Sequence, residues 1–282
     1  MAITKKNTKR TGGRKNSSAR RSSSKATRKD MPTWQYIAIS IATTIVFLFI
    51  GYHLFFKGVL NRFTNCTGTK SYGICIPQGH SIFGIDISHY QGIIDWNTLK
   101  TSSPDDAPVS FIYMKATEGS DHKDRMFDRN WEKAAEYGFT RGAYHYFSRH
   151  SSGLAQADMF IKNVKLKKGD LPPMVDVEEE PRDKKIFMQE LKIFIAQIEK
   201  HYGVKPIVYS GKKYKEKHLS DRYFNRYPTW IAHYYVDSLD VDNNWTFWQC
   251  SDKGKLPGIK HKVDINVFNG DSSKFESLRI KQ

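Results

Sequence analysis

Cysteine is scarce in this chain: Cys66, Cys75 and Cys250 are the only three among 282 residues. So few exclude a fold built on a dense disulfide framework. His145 and His233 lack the paired spacing of metal ligands, so each reads as a hydrogen-bonded structural histidine. No period of 20 to 50 residues recurs, which argues against solenoids and propellers. The first 30 residues nearly lack acids and large apolar side chains: eleven Lys or Arg face the single acid Asp30. Such a tail cannot bury enough surface to offset chain entropy, and disorder is expected for it. It holds about +10 of the formal charge of +16, so the basicity belongs mostly to the tail. Without interleaved aromatics, and set against an apolar span, it reads as a topology signal or a contact for anionic lipid heads rather than a nucleic-acid site.

Between Asp30 and Lys57 no Asp, Glu, Lys or Arg occurs. The segment "WQYIAISIATTIVFLFIGYHLFF", 34–56, is apolar on all sides, and about 20 such residues cross a hydrocarbon core. One transmembrane helix follows, with Trp34, Tyr36 and Tyr52 near its ends. The Lys/Arg excess before it predicts a cytoplasmic N-terminus and a remainder outside the cytoplasm, periplasmic or extracellular. A cleaved signal peptide is the rival, but the segment is long for one and no clear small-residue cleavage site follows. The organisation read is a basic tail at 1–33, the helix at 34–56, a stalk at 57–80 and one globular domain at 81–282. Cys66 and Cys75 close a short loop in the stalk and are a disulfide candidate in an oxidising compartment.

From residue 81 onward, eight short runs carry the Val, Ile, Tyr, Phe and Trp of strands: 81–88, 109–117, 140–148, 173–179, 205–211, 228–235, 244–251 and 263–270. Helical spacing lies between the early ones, most clearly at 184–201, where Phe187, Leu191, Phe194, Ile195 and Ile198 recur at three and four residues. Segments 127–137 and 154–164 are shorter candidates. This alternation predicts an α/β fold, a modified (β/α)8-like barrel. The last three intervals are too short for full crossover helices, so its end is expected to be irregular, with some antiparallel pairing.

The fourth run, "PMVDVEE", carries two acids inside an apolar stretch. Residues i and i+2 of a strand share a face about 6.5 Å apart, so Asp176 and Glu178 converge on one small volume. Asp86 lies late in the first run, and Asp264 starts the eighth. Acids at strand ends in such a barrel build its site, provided the eighth strand runs the other way. An isolated Asp is more often a cap or an ion-pair member, and Lys115 or Arg141 could neutralise one of these. Clustered carboxylates disfavour joint ionisation, so one keeps its proton and can protonate a glycosidic oxygen. Tyr90, Tyr144, Tyr146, Tyr209, Trp230 and Trp248 could offer flat faces to sugar rings, with core packing the alternative for each.

The ordered set "GIDISHYQGIIDW", "KATEG", "GAYHYF", "VDVE", "YSG", "WIAHYY", "WQ" and "VDINVF" resembles glycoside hydrolase family 25, the N-acetylmuramidase type of lysozyme. The resemblance spans residues 82 to about 277. It implies cleavage of the β-1,4 bond between N-acetylmuramic acid and N-acetylglucosamine in peptidoglycan, with no metal or organic cofactor. It also implies that Glu178 is the general acid, with Asp176, Asp86 and Asp264 as the other site carboxylates. Cys250 after "WQ" and the N-terminal anchor depart from the family pattern. Substrate-assisted attack with net retention is favoured over single-step inversion. A silent sugar-binding module, or a hydrolase of chitin or another N-acetylated polysaccharide, is the alternative. The oligomeric state is open.

Overall fold

A computed structural model describes residues 31–56, 69–103, 107–239 and 244–281. They fall in two units, divided after Lys57. In the first, helix α1 (Thr33–Gly51) continues into a π-helical turn, Tyr52–Phe56. Among the described residues it is the one helix long and apolar enough to cross a membrane, and none of its residues is buried. The Thr43 and Thr44 hydroxyls donate to the Ser40 carbonyl, so neither is left without a partner.

The second unit opens with a hairpin, β1 (Thr69–Ser71) and β2 (Ile74–Ile76), turned through Tyr72 and Gly73. Both turn residues have positive φ, 57° and 73°, the conformation that matches the twist of a two-residue hairpin. Tyr72 is buried and donates to the Ala107 carbonyl, while Ile76 is inaccessible to solvent. The expected stalk of 57–80 is therefore partly folded onto the globular unit. The sequence hid this because a three-residue strand is too short for its alternation to register. Cys75 is disulfide-bonded and Cys250 is a buried free thiol; Cys66 lies outside the described residues.

The barrel strands are β3 (Phe83–Ile87), β4 (Val109–Glu118), β6 (Thr140–Tyr146), β7 (Met174–Asp176), β8 (Ile207–Gly211), β9 (Thr229–Ala232), β10 (Phe247–Gly254) and β11 (Val263–Phe268). They pair in the order β3-β11-β10-β9-β8-β7-β6-β4, and a β3–β4 pairing closes the ring, with the short β5 (His122–Lys123) appended to β4. Each of the eight predicted runs supplies one barrel strand. Among the eight barrel strands pairing is parallel except at β11, which is antiparallel to both neighbours; the appended β5 is antiparallel to β4. β10 pairs parallel with β9, and the described parts of the connection between them, 233–239 and 244–246, contain no helix, as the short intervals implied.

Helices α2 (Trp96–Thr101), α3 (Phe127–Glu136), α4 (Gly153–Asn163), α5 (Lys184–Tyr202), α6 (Lys212–His218) and α7 (Ser272–Leu278) complete the unit. Asp183 caps α5 by accepting from the Lys185 and Ile186 amides, and Gly203 ends it at φ 68°. The apolar stripe of α5 packs with the outward side chains of Val175 in β7, Val177 just after it and Val208 in β8, in one outer core.

Inside the barrel the packing is aromatic rather than branched aliphatic. Phe111, Tyr113, Trp230, Phe247 and Phe268 meet mostly edge to face, with Tyr113 and Trp230 centroids 4.9 Å apart. Two glycines make room for these rings. A Cβ at Gly84 would lie 2.4 Å from the Phe111 ring, and one at Gly142 would lie 2.4 Å from Tyr113. Tyr113 cannot retreat, because its hydroxyl donates to the Pro172 carbonyl at 3.0 Å and Phe247 and Trp230 hem the ring. Gly142→Ala should therefore cost about 1–3 kcal/mol by overpacking. Urea denaturation of the globular unit reads this, and an unchanged midpoint would refute the close-packing argument.

Candidate active site

One end of the barrel gathers carboxyl groups from three separate parts of the chain. Asp86 of β3 and Asp264 of β11 are cross-strand partners, so their side chains emerge on the same inner face. The antiparallel sense of β11 brings Asp264, near the strand's start, to the carboxyl end of the parallel strands. Asp176 ends β7 and lies between Tyr146 of β6 and Tyr209 of β8. Glu178 lies beyond the last residue of the strand, but the alternation persists. The Val177 amide donates to the Tyr209 carbonyl at 3.0 Å, and the Val177 side chain is buried in the outer core. Asp176 and Glu178 consequently return to the inner side.

Amide donors converge on Asp86. Its Oδ2 accepts from Gln249 Nε2 and from Asn266 Nδ2, both at 2.8 Å. Gln249 is held in turn by the hydroxyls of Tyr209 (2.8 Å) and Tyr234 (2.6 Å), which donate to its Oε1. Asn266 Oδ1 accepts from Trp230 Nε1 at 3.1 Å. With both amide oxygens occupied by donors, the amide nitrogens are oriented toward Asp86.

Burial dominates the titration of this cluster. It is the largest cause raising Asp264 to about 9, followed by the negative charge of Asp86. Asp264 thus keeps its proton near neutrality and donates it to Asp86, whose three donors favour the anion against the upward push of its own burial. Asp176 is held well above the carboxylate range by burial, then by Glu178 and Asp86, with Lys115 opposing. Its Oδ1 is buried without a hydrogen-bond partner. Glu178 is exposed at the mouth, yet the protein around its carboxyl raises its pKa too, with Asp86 adding and a Tyr209 hydrogen bond and Lys115 opposing. The single Tyr209 hydroxyl proton serves either Gln249 or Glu178 at any moment.

Neither basic side chain considered from the sequence pairs with a site acid. Arg141 bonds Asp170 at 2.8 Å and stacks on Trp131. Lys115 pairs with Glu118 at 2.6 Å and sits over the Tyr146 ring. Among the described residues, the salt bridges include none to Asp86, Asp176, Glu178 or Asp264.

The aromatics divide into two groups. Tyr144 and Tyr209 are buried beneath the carboxyls, Tyr146 is half-buried at their edge, and Tyr90 is 72% exposed on the loop after β3. Trp230 is wholly buried in the barrel interior, and Trp248 points outward, packed against Trp245 and His80. Neither indole offers a face to a sugar. Period-two alternation puts Trp248 on the outer side, next to inward Gln249, whereas Trp230 is inward but enclosed by Tyr113 and Phe247. His145 is structural, with Thr117 on Nδ1 and Gln156 on Nε2, and burial lowers its pKa to about 4. Gln249, Asn266 and Tyr234 were not singled out, although "WQ", "VDINVF" and "WIAHYY" contain them; polar residues at inward positions were the available signal. Among the described residues no group of three or more His, Cys, Asp or Glu is arranged to hold a metal ion.

Comparison with known proteins gives this geometry a family. Residues 85–259 match the profile described as Glycosyl hydrolases family 25. The chain is 42% identical over 214 residues to YegX of Escherichia coli K12, covering 74% of this chain and 77% of that one. It is 33% identical over 211 residues to Lysozyme M1 of Streptomyces globisporus, covering 69% and 70%. A family 25 glycosyl hydrolase structure from Bacillus anthracis superposes with a TM-score of 0.64 at 37% identity, over 70% of this chain and 93% of that one. On the strength of the profile match across most of the barrel, the chain belongs to glycosyl hydrolases family 25.

Proposed function

We propose that this glycoside hydrolase is a muramidase that cuts the β-1,4 bond after N-acetylmuramic acid, with Glu178 as acid, Asp176 as amide acceptor, and Asp86, bonded by protonated Asp264, as the charge that raises both their pKa values. The activity is peptidoglycan hydrolysis, in keeping with relatives named as lysozymes. One observation carries the assignment of roles: the buried, partnerless Oδ1 of Asp176 in the same cleft as a solvent-reaching Glu178 whose pKa is raised by its surroundings. An acetamido N–H of the substrate would supply the missing donor. Glu178 gives its proton to the glycosidic oxygen as the acetamido carbonyl oxygen attacks the anomeric carbon, and the bond to the leaving sugar breaks. Water then opens the cyclic intermediate, Glu178 takes up a proton, and the configuration is retained. Tyr90 and Tyr146 are the accessible aromatic surfaces for the glycan.

Purified walls digested with the globular unit, then reduced with borohydride, should yield muramitol at the new chain ends. Glucosaminitol ends, or no new ends, would overturn the reading, and release from chitin alone would assign another polymer.

The same reading places α1 in a membrane, with the basic tail of 1–33 on the cytoplasmic side and the barrel facing the wall. Its support is the uncharged 23-residue span and the charge bias before it. A reporter that is active only after export, fused after Gln282, should be active, and carbonate should leave the protein in membranes. Activity of a cytoplasm-only reporter in that position would reverse the topology.

A further inference from the structure

Beside the carboxyl cleft lies a pocket of about 150 Å³ between the β6–α4 and β7–α5 connections. Its lining sets Arg149 and Arg182 beside the acids Asp183 and Glu190, with Ile186 and Phe187 as apolar wall. We infer that this pocket binds a carboxylate of the peptide carried by the muramyl lactyl group, and that Arg182 makes the enzyme favour peptide-bearing glycan. The inference rests on the muramidase reading and adds to it a second binding locus.

The pocket and the cleft share a wall. The Arg149 amide donates to Glu179 Oε2 at 2.9 Å, and its Nη1 donates to the Glu180 carbonyl at 2.8 Å, so the segment just after Glu178 is pinned to the pocket rim. The Phe147 amide donates to the Asp176 carbonyl at 2.9 Å, and the same segment runs on from Phe147 into the pocket. Substrate chemistry matches this adjacency. In the muramyl residue the acetamido group assigned to Asp176 sits on C2, and the lactyl peptide leaves from the neighbouring carbon.

Charge in the pocket is unevenly committed. Asp183 is used as the cap of α5, and Glu190 accepts from the Gly153 amide at 2.7 Å. Arg149 is engaged by Glu179 and Glu180. The exposed Arg182 guanidinium has no ion pair or side-chain hydrogen bond among the described residues, and Ser151 Oγ is buried there without a partner. A carboxylate would satisfy both, in an arrangement where guanidinium recognition is strongest. The loop bearing Ser151 is fixed from behind, since Gln156 Nε2 donates to the Ser148 and Ser151 carbonyls.

The experiment compares kcat/KM on soluble glycan chains with intact peptides and on the same chains stripped by an amidase, with the lactyl carboxylate that the amidase frees blocked as its methylamide. Wild type should prefer the peptide-bearing substrate by about tenfold or more, the size set by one charge-assisted contact. Arg182→Gln should reduce that ratio toward one, and Arg182→Glu should take it below one. Amidating the peptide carboxylates should lower the wild-type ratio equally and have no additional effect in Arg182→Gln. Equal wild-type rates on the two substrates, or a ratio indifferent to Arg182, would overturn the pocket assignment and leave the muramidase reading intact. Cleavage of neither substrate would remove both.

Discussion

Glu178→Gln should lower kcat on wall glycan by about 10²- to 10⁴-fold while leaving the fold and substrate binding in place. The amide keeps the size of the acid but has no proton of suitable acidity to give. Glu178 reaches solvent at the mouth of the cleft, so the replacement opens no core cavity and the denaturation midpoint should hold. Two further readouts separate proton donation from general damage. An aryl glycoside with a good leaving group needs little protonation, so its cleavage should recover much of the lost rate. The pH profile should also change. Burial and the charge of Asp86 raise the Glu178 pKa, the protonated form is the active one, and wild-type rate falls as pH rises through that raised value. In the variant that alkaline limb should vanish. Full activity in Glu178→Gln, or a loss that the activated substrate does not relieve, would withdraw the acid role.

Why Glu178 and Asp176 could be paired from the sequence is a matter of period. The two-residue repeat of an extended chain survives past the end of β7, because the Val177 amide still bonds to β8 and the Val177 side chain still needs the outer core. The eight strands were legible for the same reason: each pairs an inward and an outward apolar set, and β-branched and aromatic residues crowd both. Helix α5 was legible from its stripe, its Asp183 cap and its Gly203 stop. Features resting on few residues or on ring packing were not. The β1–β2 hairpin offers three residues per strand. Trp230 shares an inner face with its register partner Tyr209, but the rings of Tyr113 and Phe247, whose packing alternation does not encode, enclose its indole, while the Tyr209 hydroxyl reaches Gln249. The relay through Gln249 and Asn266 was hidden for another reason. Amides at inward positions become meaningful only once β10 and β11 are known to flank the acids, and that neighbourhood depends on the antiparallel turn of β11.

The sharpest separation of roles comes from Asp176→Asn, which should cost about 10²- to 10³-fold on wall glycan, the scale of losing one preorganised polar contact to the reacting group. Asp176 is buried and its Oδ1 lacks a partner, so in the free enzyme burial, reinforced by the Asp86 charge, holds its proton on. An acetamido N–H arriving at Oδ1 supplies the donor that stabilises the anion, and that anion in turn orients the carbonyl oxygen toward the anomeric carbon. Asn can present an oxygen there but cannot become the anion, so attack by the amide is weakened while protonation by Glu178 is not. A good leaving group should therefore rescue Glu178→Gln far more than Asp176→Asn. On a substrate whose acetamido group cannot participate, wild type should already be slow, and Asp176→Asn should reduce it little further. Stereochemistry decides the matter, because two displacements at one carbon restore its configuration and one displacement inverts it. Proton NMR during the first turnovers should show the β-anomer of the new reducing sugar. An initial α-anomer would establish direct attack by water and recast Asp176 as its base.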